Sequence, residues 1–389
     1  MHILHISPYY APAFAFGGVP RAVEGLARAQ AERGHRVTVI TTDAGTQTAR
    51  LAAPAHETRD GVRVIRVPNL SVWARGRFNM SSPLSIGRAA RAILPTVDIV
   101  HCHEFRTVEN LLITPLVAHA GIPLVLSPHG TLNLTTGRGS LKAAWDRLLS
   151  PSVAPRFAAI LCLTETERAE AQAVWAGLGT IALPQWAVIP NGVALDMRGR
   201  AALRAAFRAQ YQLGDAPVCL FLGRLHPRKG VEVLVRAFQQ ADAPDARLVI
   251  AGPDEGALAT ILPLIEHDSR ITLTGYLDND ARLGAWAAAD VFALPATGEG
   301  LSMAALEALA VGVPVLLSPG CNLPEAADYD AGLIVEPQVE PLAAALWLLL
   351  TDPLRRADMG VKAAALAAQR FSWSAVAAAV ERVYGGIRG

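Results

Sequence analysis

The amino-acid sequence predicts an α/β protein of two doubly wound parallel-sheet domains. Three observations predict it. Short β-rich runs alternate with longer helical patterns from one end of the chain to the other, the signature of parallel sheets covered by helices on both faces. The chain has 389 residues, more than one ordinary core of ~100–200 residues accounts for. A stretch rich in charge and alanine, Val193 to Pro217, lacks a strand pattern and separates two series of strands, which puts the interdomain connection there.

In the first half the strands are expected at His2–Ile6, Arg36–Thr41, Val62–Arg66, Ile99–His101, Leu124–Ser127, Ile160–Leu163 and Trp186–Ile189. Between the first two, Pro20 to Glu32 carries apolar residues at helical spacing and stops at Gly34, so these pieces form a βαβ unit. The second series is expected at Val218–Leu222, Arg247–Ala251, Ile271–Thr274, Val291–Leu294, Val315–Leu317 and Gly332–Val335. The run Leu342 to Leu350 is about half of the ~20 residues a membrane span requires and reads as a buried helix. A last helical pattern, Ser374 to Tyr384, follows Phe371-Ser372-Trp373 and sets Val376, Val380 and Val383 close to one face.

Hydrophobic residues at 52% and charged residues at 18% exclude a disordered chain. A net charge of +1 with no Lys/Arg run argues against nucleic acid as a partner. The four cysteines, Cys102, Cys162, Cys219 and Cys321, are too far apart for a disulfide framework or for the close pairs of a zinc site. They read as reduced core residues. Met1 to Ile6 reads as a first strand and not as a signal peptide, so a cytoplasmic location is expected.

Two segments carry the chemistry. Gly223-Arg224-Leu225-His226-Pro227-Arg228-Lys229-Gly230 directly follows the first strand of the second series. Ligands of open α/β sheets bind outside the carboxyl ends of strands, so Arg224 and Lys229 are expected to face one anion. A guanidinium fork and a mobile ammonium suit a diphosphate; the alternative is two solvated cations in a polar turn. The second segment, Pro295 to Ala310, is a glycine-bearing loop that turns into a helix. The amides around Leu301, Ser302 and Met303 suit a phosphate, with Glu299 at the mouth and Glu307 further along the helix. The alternative makes Glu299 a helix cap and Glu307 an exposed residue. The apolar neighbours Leu306, Leu309, Ala310 and Val311 favour a specific partner for Glu307.

In the first half, Gly17-Gly18 allows close backbone approach to a ligand but lacks the full dinucleotide fingerprint. His129 lies just past the strand ending at Ser127, where a cleft-facing group is expected, although a lone histidine is more often structural. Tyr276 is placed either beside a nucleotide base or packed in a loop. The aromatic, basic and polar region Trp73 to Ser85 is a candidate acceptor wall.

These segments occur together and in order, and the chain resembles the retaining glycosyltransferases of family 4 (glycosyl transferases group 1). The likeness runs through Gly17-Gly18, Ser127-Pro128-His129-Gly130, Ile189-Pro190-Asn191-Gly192-Val193, Gly223-Arg224-Leu225 to Lys229-Gly230, Ala251-Gly252-Pro253, and Glu299 to Glu307. Its strongest part is the pair of glutamates separated by seven residues, although Gly300, Leu301 and Ser302 stand where family members commonly have an aromatic and a glycine.

The resemblance implies the GT-B architecture, two Rossmann-like domains facing a central cleft. Residues 1–192 form the acceptor domain, with a C-terminal helix (372–389) returning to it, and residues 193–371 form the nucleotide-sugar donor domain. It implies that Arg224 and Lys229 bind the donor diphosphate and that Glu307 bonds the ribose. Glu299, Gly300 and the amides of Leu301, Ser302 and Met303 hold the sugar and phosphate. Gly17 and Gly18 approach the diphosphate, and His129 reaches the transferring sugar. His129, Arg224, Lys229 and Glu299 are thus the expected catalytic group. The donor is expected to be a UDP- or GDP-sugar, without an essential metal or other cofactor, and the acceptor a carbohydrate or lipid-linked molecule. Peripheral contact with the inner face of the cell membrane is compatible with this reading. An NAD-dependent oxidoreductase and a two-domain small-molecule binding protein are the competing classes. The first lacks the glycine fingerprint and the second an export signal.

Overall fold

The computed structural model describes residues 1–71, 73, 75, 80–132, 139–179 and 183–388. The chain divides into two compact units, Met1–Gly192 with Trp373–Gly389, and Val193–Ser372.

The first unit holds strands β1 (His2–Ile6), β2 (Arg36–Thr42), β3 (His56–Arg59), β4 (Val62–Val67), β5 (Ile99–His103), β6 (Leu124–Ser127), β7 (Ala159–Cys162) and β8 (Gln185–Val188). Their order is β3-β4-β2-β1-β5-β6-β7-β8, parallel except where β3 runs antiparallel to β4. Sequence patterning misses β3. Its residues His-Glu-Thr-Arg are polar because it is a partly exposed edge strand. The signal that does mark it is Asp60-Gly61, both at positive φ, the two-residue turn that joins β3 to β4 as a hairpin.

The strands buried on both faces read as apolar runs, as parallel strands under two helical layers must. One face packs Leu4, Val100, Leu126 and Ile160 against Ile113, Val117 and Trp175. The other packs Ile3, Ile99, Val125 and Leu161 against Leu26 and the last helix. That helix spans Trp373–Arg388 and buries Val376, Val380, Val383 and Tyr384. Trp373 anchors it. A Cβ on Gly25 would come within 2.1 Å of the Trp373 ring and one on Gly192 within 2.3 Å, so both glycines make room for the indole.

The second unit holds β9 (Val218–Leu222), β10 (Arg247–Ala251), β11 (Ile271–Gly275), β12 (Val291–Leu294), β13 (Val315–Leu317) and β14 (Gly332–Ile334). The order is β11-β10-β9-β12-β13-β14, all parallel. The stretch after Val193 packs on this unit. It contains the helix Arg200–Gln210, whose Phe207 lies against Gly284 and whose Arg208 bonds Asp290 at 2.8 Å, so it belongs to the core of this unit. The greasy helix Val339–Thr351 buries Leu342, Leu346, Leu349 and Leu350. No described helix is long and apolar enough to cross a membrane. All four cysteines are free and buried.

Candidate functional site

In the second sheet the strand order reverses between β9 and β12, which lie side by side, and the two sequence-predicted segments are the loops that follow them. Strands that wind outward in opposite directions leave a crevice at such a switch point. The two loops are stitched together. The Thr297 amide donates to the Arg228 carbonyl at 2.9 Å, and any Cβ on Gly230 (φ +71°) would come within 2.2 Å of the Pro295 carbonyl. The Glu299 amide donates to the Gly320 carbonyl at 2.8 Å, and Asn322 Nδ2 donates back to the Glu299 carbonyl at 2.5 Å.

Lys229 Nζ lies 2.6 Å from Glu299 Oε1 in a half-buried pair. Arg224 does not share that partner: its Nη1 lies 2.7 Å from Glu255 Oε2, in an exposed pair. The two cations expected to face one anion are thus held by separate carboxylates. Each already has a carboxylate, and only the solvated Arg224–Glu255 contact exchanges at little cost. Ser302 caps the helix Met303–Ala310, its hydroxyl accepting from the Ala305 amide at 3.2 Å. Among the described residues the amides of Leu301, Ser302 and Met303 donate to no protein acceptor. Gly300 is exposed beside them.

Glu307 is not an exposed helix residue. Arg282 Nη1 donates to Oε1 at 2.5 Å and Trp286 Nε1 to Oε2 at 3.0 Å, which satisfies the carboxylate inside its apolar setting and fixes its rotamer. Both partners come from the helix Asn279–Ala288, which the sequence reading did not connect with this site. Tyr276 is not a packed loop residue; it is three-quarters exposed just past β11.

In the first unit, Gly17 (φ +99°) precedes the fifteen-residue helix Gly18–Glu32, and no described side chain caps its amides. A Cβ on either glycine would meet no described atom within 4 Å, so crowding demands neither, and only Gly17 is called for by its backbone conformation. His129 sits in the left-handed region (φ +55°) just after β6. The turn is clamped by Glu167, whose carboxylate accepts from the amides of Gly130 and Leu163. Burial pulls the His129 imidazole down to about 4, so the ring is neutral at ordinary pH.

A cavity of about 370 Å³ in this unit is lined by Ser81, Glu104, Arg106, Lys142 and Trp145, among others. Glu104, which sequence reading missed, follows β5 with φ +64°, and burial together with the nearby Glu109 raises its carboxyl to about 7. Arg106 is braced by both oxygens of Asp146, at 2.8 and 2.7 Å. Of the suspected acceptor wall from Trp73 to Ser85, residues 74 and 76–79 lie outside the described residues, while Met80 and Ser81 border the cavity.

Residues 16–197 match a family model described as Glycosyltransferase Family 4, and residues 216–352 one described as Glycosyl transferases group 1. A D-inositol 3-phosphate glycosyltransferase of Kineococcus radiotolerans is 29% identical, over 98% of this chain and 93% of its own. A GDP-mannose-dependent alpha-(1-6)-phosphatidylinositol monomannoside mannosyltransferase of Mycobacterium tuberculosis is 34% identical over 49% of this chain and 53% of its own. Among solved structures, the sucrose-phosphate synthase of Thermosynechococcus elongatus superposes with a TM-score of 0.74 at 20% identity, covering 100% of this chain and 99% of its own. Anabaena HepE in complex with UDP gives 0.73 at 18%, covering 99% and 100%. At such identities the structures speak to fold alone, and the fold is GT-B. With one matched model on each unit, the chain belongs to glycosyltransferase family 4.

Proposed function

We propose that this transferase moves a sugar from a nucleoside-diphosphate sugar to a hydroxyl of a carbohydrate or lipid-linked acceptor, with retention of configuration. The observation that carries the reading is the half-buried Lys229–Glu299 pair beside the unpaired amides of Leu301 to Met303. That arrangement joins a cation, a hydroxyl-accepting carboxylate and a helix N-terminus, the three groups that a sugar diphosphate requires.

In this reading Lys229 and the amides receive the diphosphate, Arg224 leaves Glu255 to join them, and Glu299 accepts from sugar hydroxyls. Glu307, fixed by Arg282 and Trp286, accepts from the ribose through the lone pairs those donors leave open. Gly17, Gly18 and His129 are assigned to the diphosphate and the sugar by the family resemblance. As the bond between the anomeric carbon and the phosphate oxygen breaks, negative charge grows on the leaving diphosphate, where cations and amides stabilise it. The acceptor oxygen bonds to the anomeric carbon from the same face, and its proton passes to the leaving phosphate oxygen. The first unit's cavity receives the acceptor: Trp145 offers an apolar wall and Glu104 a carboxyl matched to a hydroxyl.

The relatives support a donor of the GDP-mannose kind and a polyol or inositol-bearing acceptor, and the HepE complex supports UDP as the other candidate base. Thermal unfolding with UDP, GDP and NAD, followed by mass detection of transfer from the matching nucleotide sugars to inositol phosphates, tests this. Stabilisation by one nucleoside diphosphate and transfer from its sugar are expected. Stabilisation by NAD alone defeats the reading.

A further inference from the structure

Three buried histidines of the first unit and the half-buried His129 form part of a single hydrogen-bonded chain. His129 Nε2 lies 2.9 Å from His103 Nδ1, His103 Nε2 lies 2.9 Å from His5 Nδ1, and His5 Nε2 lies 2.8 Å from Gln30 Oε1. Gln30 Nε2 donates to the Tyr384 hydroxyl at 3.5 Å, Tyr384 lies 2.7 Å from His101 Nδ1, and His101 Nε2 lies 2.8 Å from Ser127 Oγ. His5, Gln30, His101, His103 and Tyr384 are at most 1% exposed. The strands explain the cluster: His101 and His103 alternate onto one face of β5, and His5 pairs with His101 in register on β1. Gln30 and Tyr384 descend on that face from the helices Gly18–Glu32 and Trp373–Arg388. Both nitrogens of His5, His101 and His103 are engaged in this chain.

A chain of neutral imidazoles has a direction, because each ring donates from one nitrogen and accepts at the other. With the Gln30 carbonyl toward His5, His5 must donate from Nε2 and accept at Nδ1. His103 then donates from Nε2 and accepts at Nδ1, and His129 donates from Nε2. His129 Nδ1 is left as a bare lone pair, and among the described residues it is buried without a partner. Turning the Gln30 amide over would reverse every bond and put a proton on His129 Nδ1. The Gln30 amide is thus the one element of the chain that cannot serve both senses in one orientation; with its carbonyl toward His5, its Nε2 reaches the Tyr384 hydroxyl, which accepts there and is free to donate to His101.

We infer that Gln30 and Tyr384 are positioning residues that set His129 as a neutral hydrogen-bond acceptor, so that its Nδ1 receives a ligand hydroxyl and cannot donate to one. The inference rests on the proposed transfer reaction only for the identity of that hydroxyl, which is one of the sugar's. Burial of all four rings, which holds each below its ordinary range, keeps the chain in its neutral form.

The test is long-range 1H–15N spectroscopy of the full chain labelled with 15N-histidine, with His129→Gln used to assign the His129 ring. The expected result is a neutral His129 with its proton on Nε2 and an Nδ1 resonance that moves when nucleotide sugar is added. In Gln30→Leu the His129 nitrogens should average between the two tautomers, with kcat/KM down about tenfold at unchanged fold. Tyr384→Phe should do the same to a smaller degree, which protects the test against a Gln30 variant that fails to fold. A wild-type His129 with its proton on Nδ1, or an even mixture, overturns the inference whether or not transfer occurs. A chain with the expected tautomer that transfers no sugar overturns the functional reading and leaves the inference standing.

Discussion

Lys229 and Glu299, seventy residues apart, meet at 2.6 Å because the strands that precede them, β9 and β12, are neighbours in the sheet. Neither side chain is much exposed, so each is the other's chief compensation for lost water. Removing one partner of such a pair leaves an uncompensated charge, at a cost of about 3 kcal/mol. The Arg224–Glu255 pair is different: both groups face solvent, and a contact of that kind contributes less than about 1 kcal/mol.

These two pairs separate activity from stability. Arg224→Ala and Lys229→Ala should each lower kcat/KM by about 10²–10³, since both lose charge stabilisation of the leaving diphosphate. Only Lys229→Ala should also lower the unfolding midpoint. Near-normal transfer in both variants would remove the donor-site assignment.

Glu307→Gln should weaken binding of the free nucleoside diphosphate more than Glu299→Gln does. A glutamine at 307 offers one oxygen to two donors and turns an N–H toward Arg282 or Trp286, a loss of about 1–3 kcal/mol that also loosens the ribose-facing oxygen. Isothermal calorimetry of both variants measures the difference. Equal losses of affinity would mean that the two carboxylates are wrongly divided between ribose and sugar.

Gly192→Ala should destabilise the first unit by about 1–3 kcal/mol, because its methyl group would overlap the Trp373 ring at 2.3 Å and the ring is also packed against Gly25. Chemical denaturation followed by tryptophan fluorescence reads this. In a Trp373→Ala background the added cost of Gly192→Ala should vanish; persistence of the full cost would show that the indole is not its cause.

Glu104→Gln carries a pH signature. Burial, then repulsion by Glu109, raises the Glu104 carboxyl from the ordinary 4.5 to about 7, so the fold favours its protonated form. The folded state thus binds more protons than the unfolded state between those values, and this group's contribution to stability is full below pH 4.5 and lost as pH rises through 7. The variant should therefore match the wild type near pH 4.5 and exceed its stability at pH 8. Parallel stability curves across this range would contradict the raised value.

Much of the fold was legible locally. The runs Val218–Leu222 and Arg247–Ala251 are strands at the expected residues, because a strand buried on both faces leaves an unbroken apolar run in the sequence. The polar edge strand β3 left no such run and was visible only through Asp60-Gly61. The packing of the stretch after Val193 was hidden for a related reason: the charged face of Arg200–Gln210 masks the buried Phe207 and the Arg208–Asp290 bond that tie it to the second core.

What the sequence by itself determined is which residues are chemically out of place in their local pattern. Glu307 lies in an apolar helix, Lys229 stands at a strand end, and His129 follows another. Each departs from a periodicity that a few neighbouring residues suffice to define. Only the tertiary structure decided whom they meet. Arg282 and Trp286 reach Glu307 from another helix, Glu255 takes Arg224, and Gln30 and Tyr384 close the histidine chain from opposite ends of the sequence. Those pairings depend on strand order and register, which arise when whole sheets assemble, and nothing in a local run of residues encodes which strand will lie beside which.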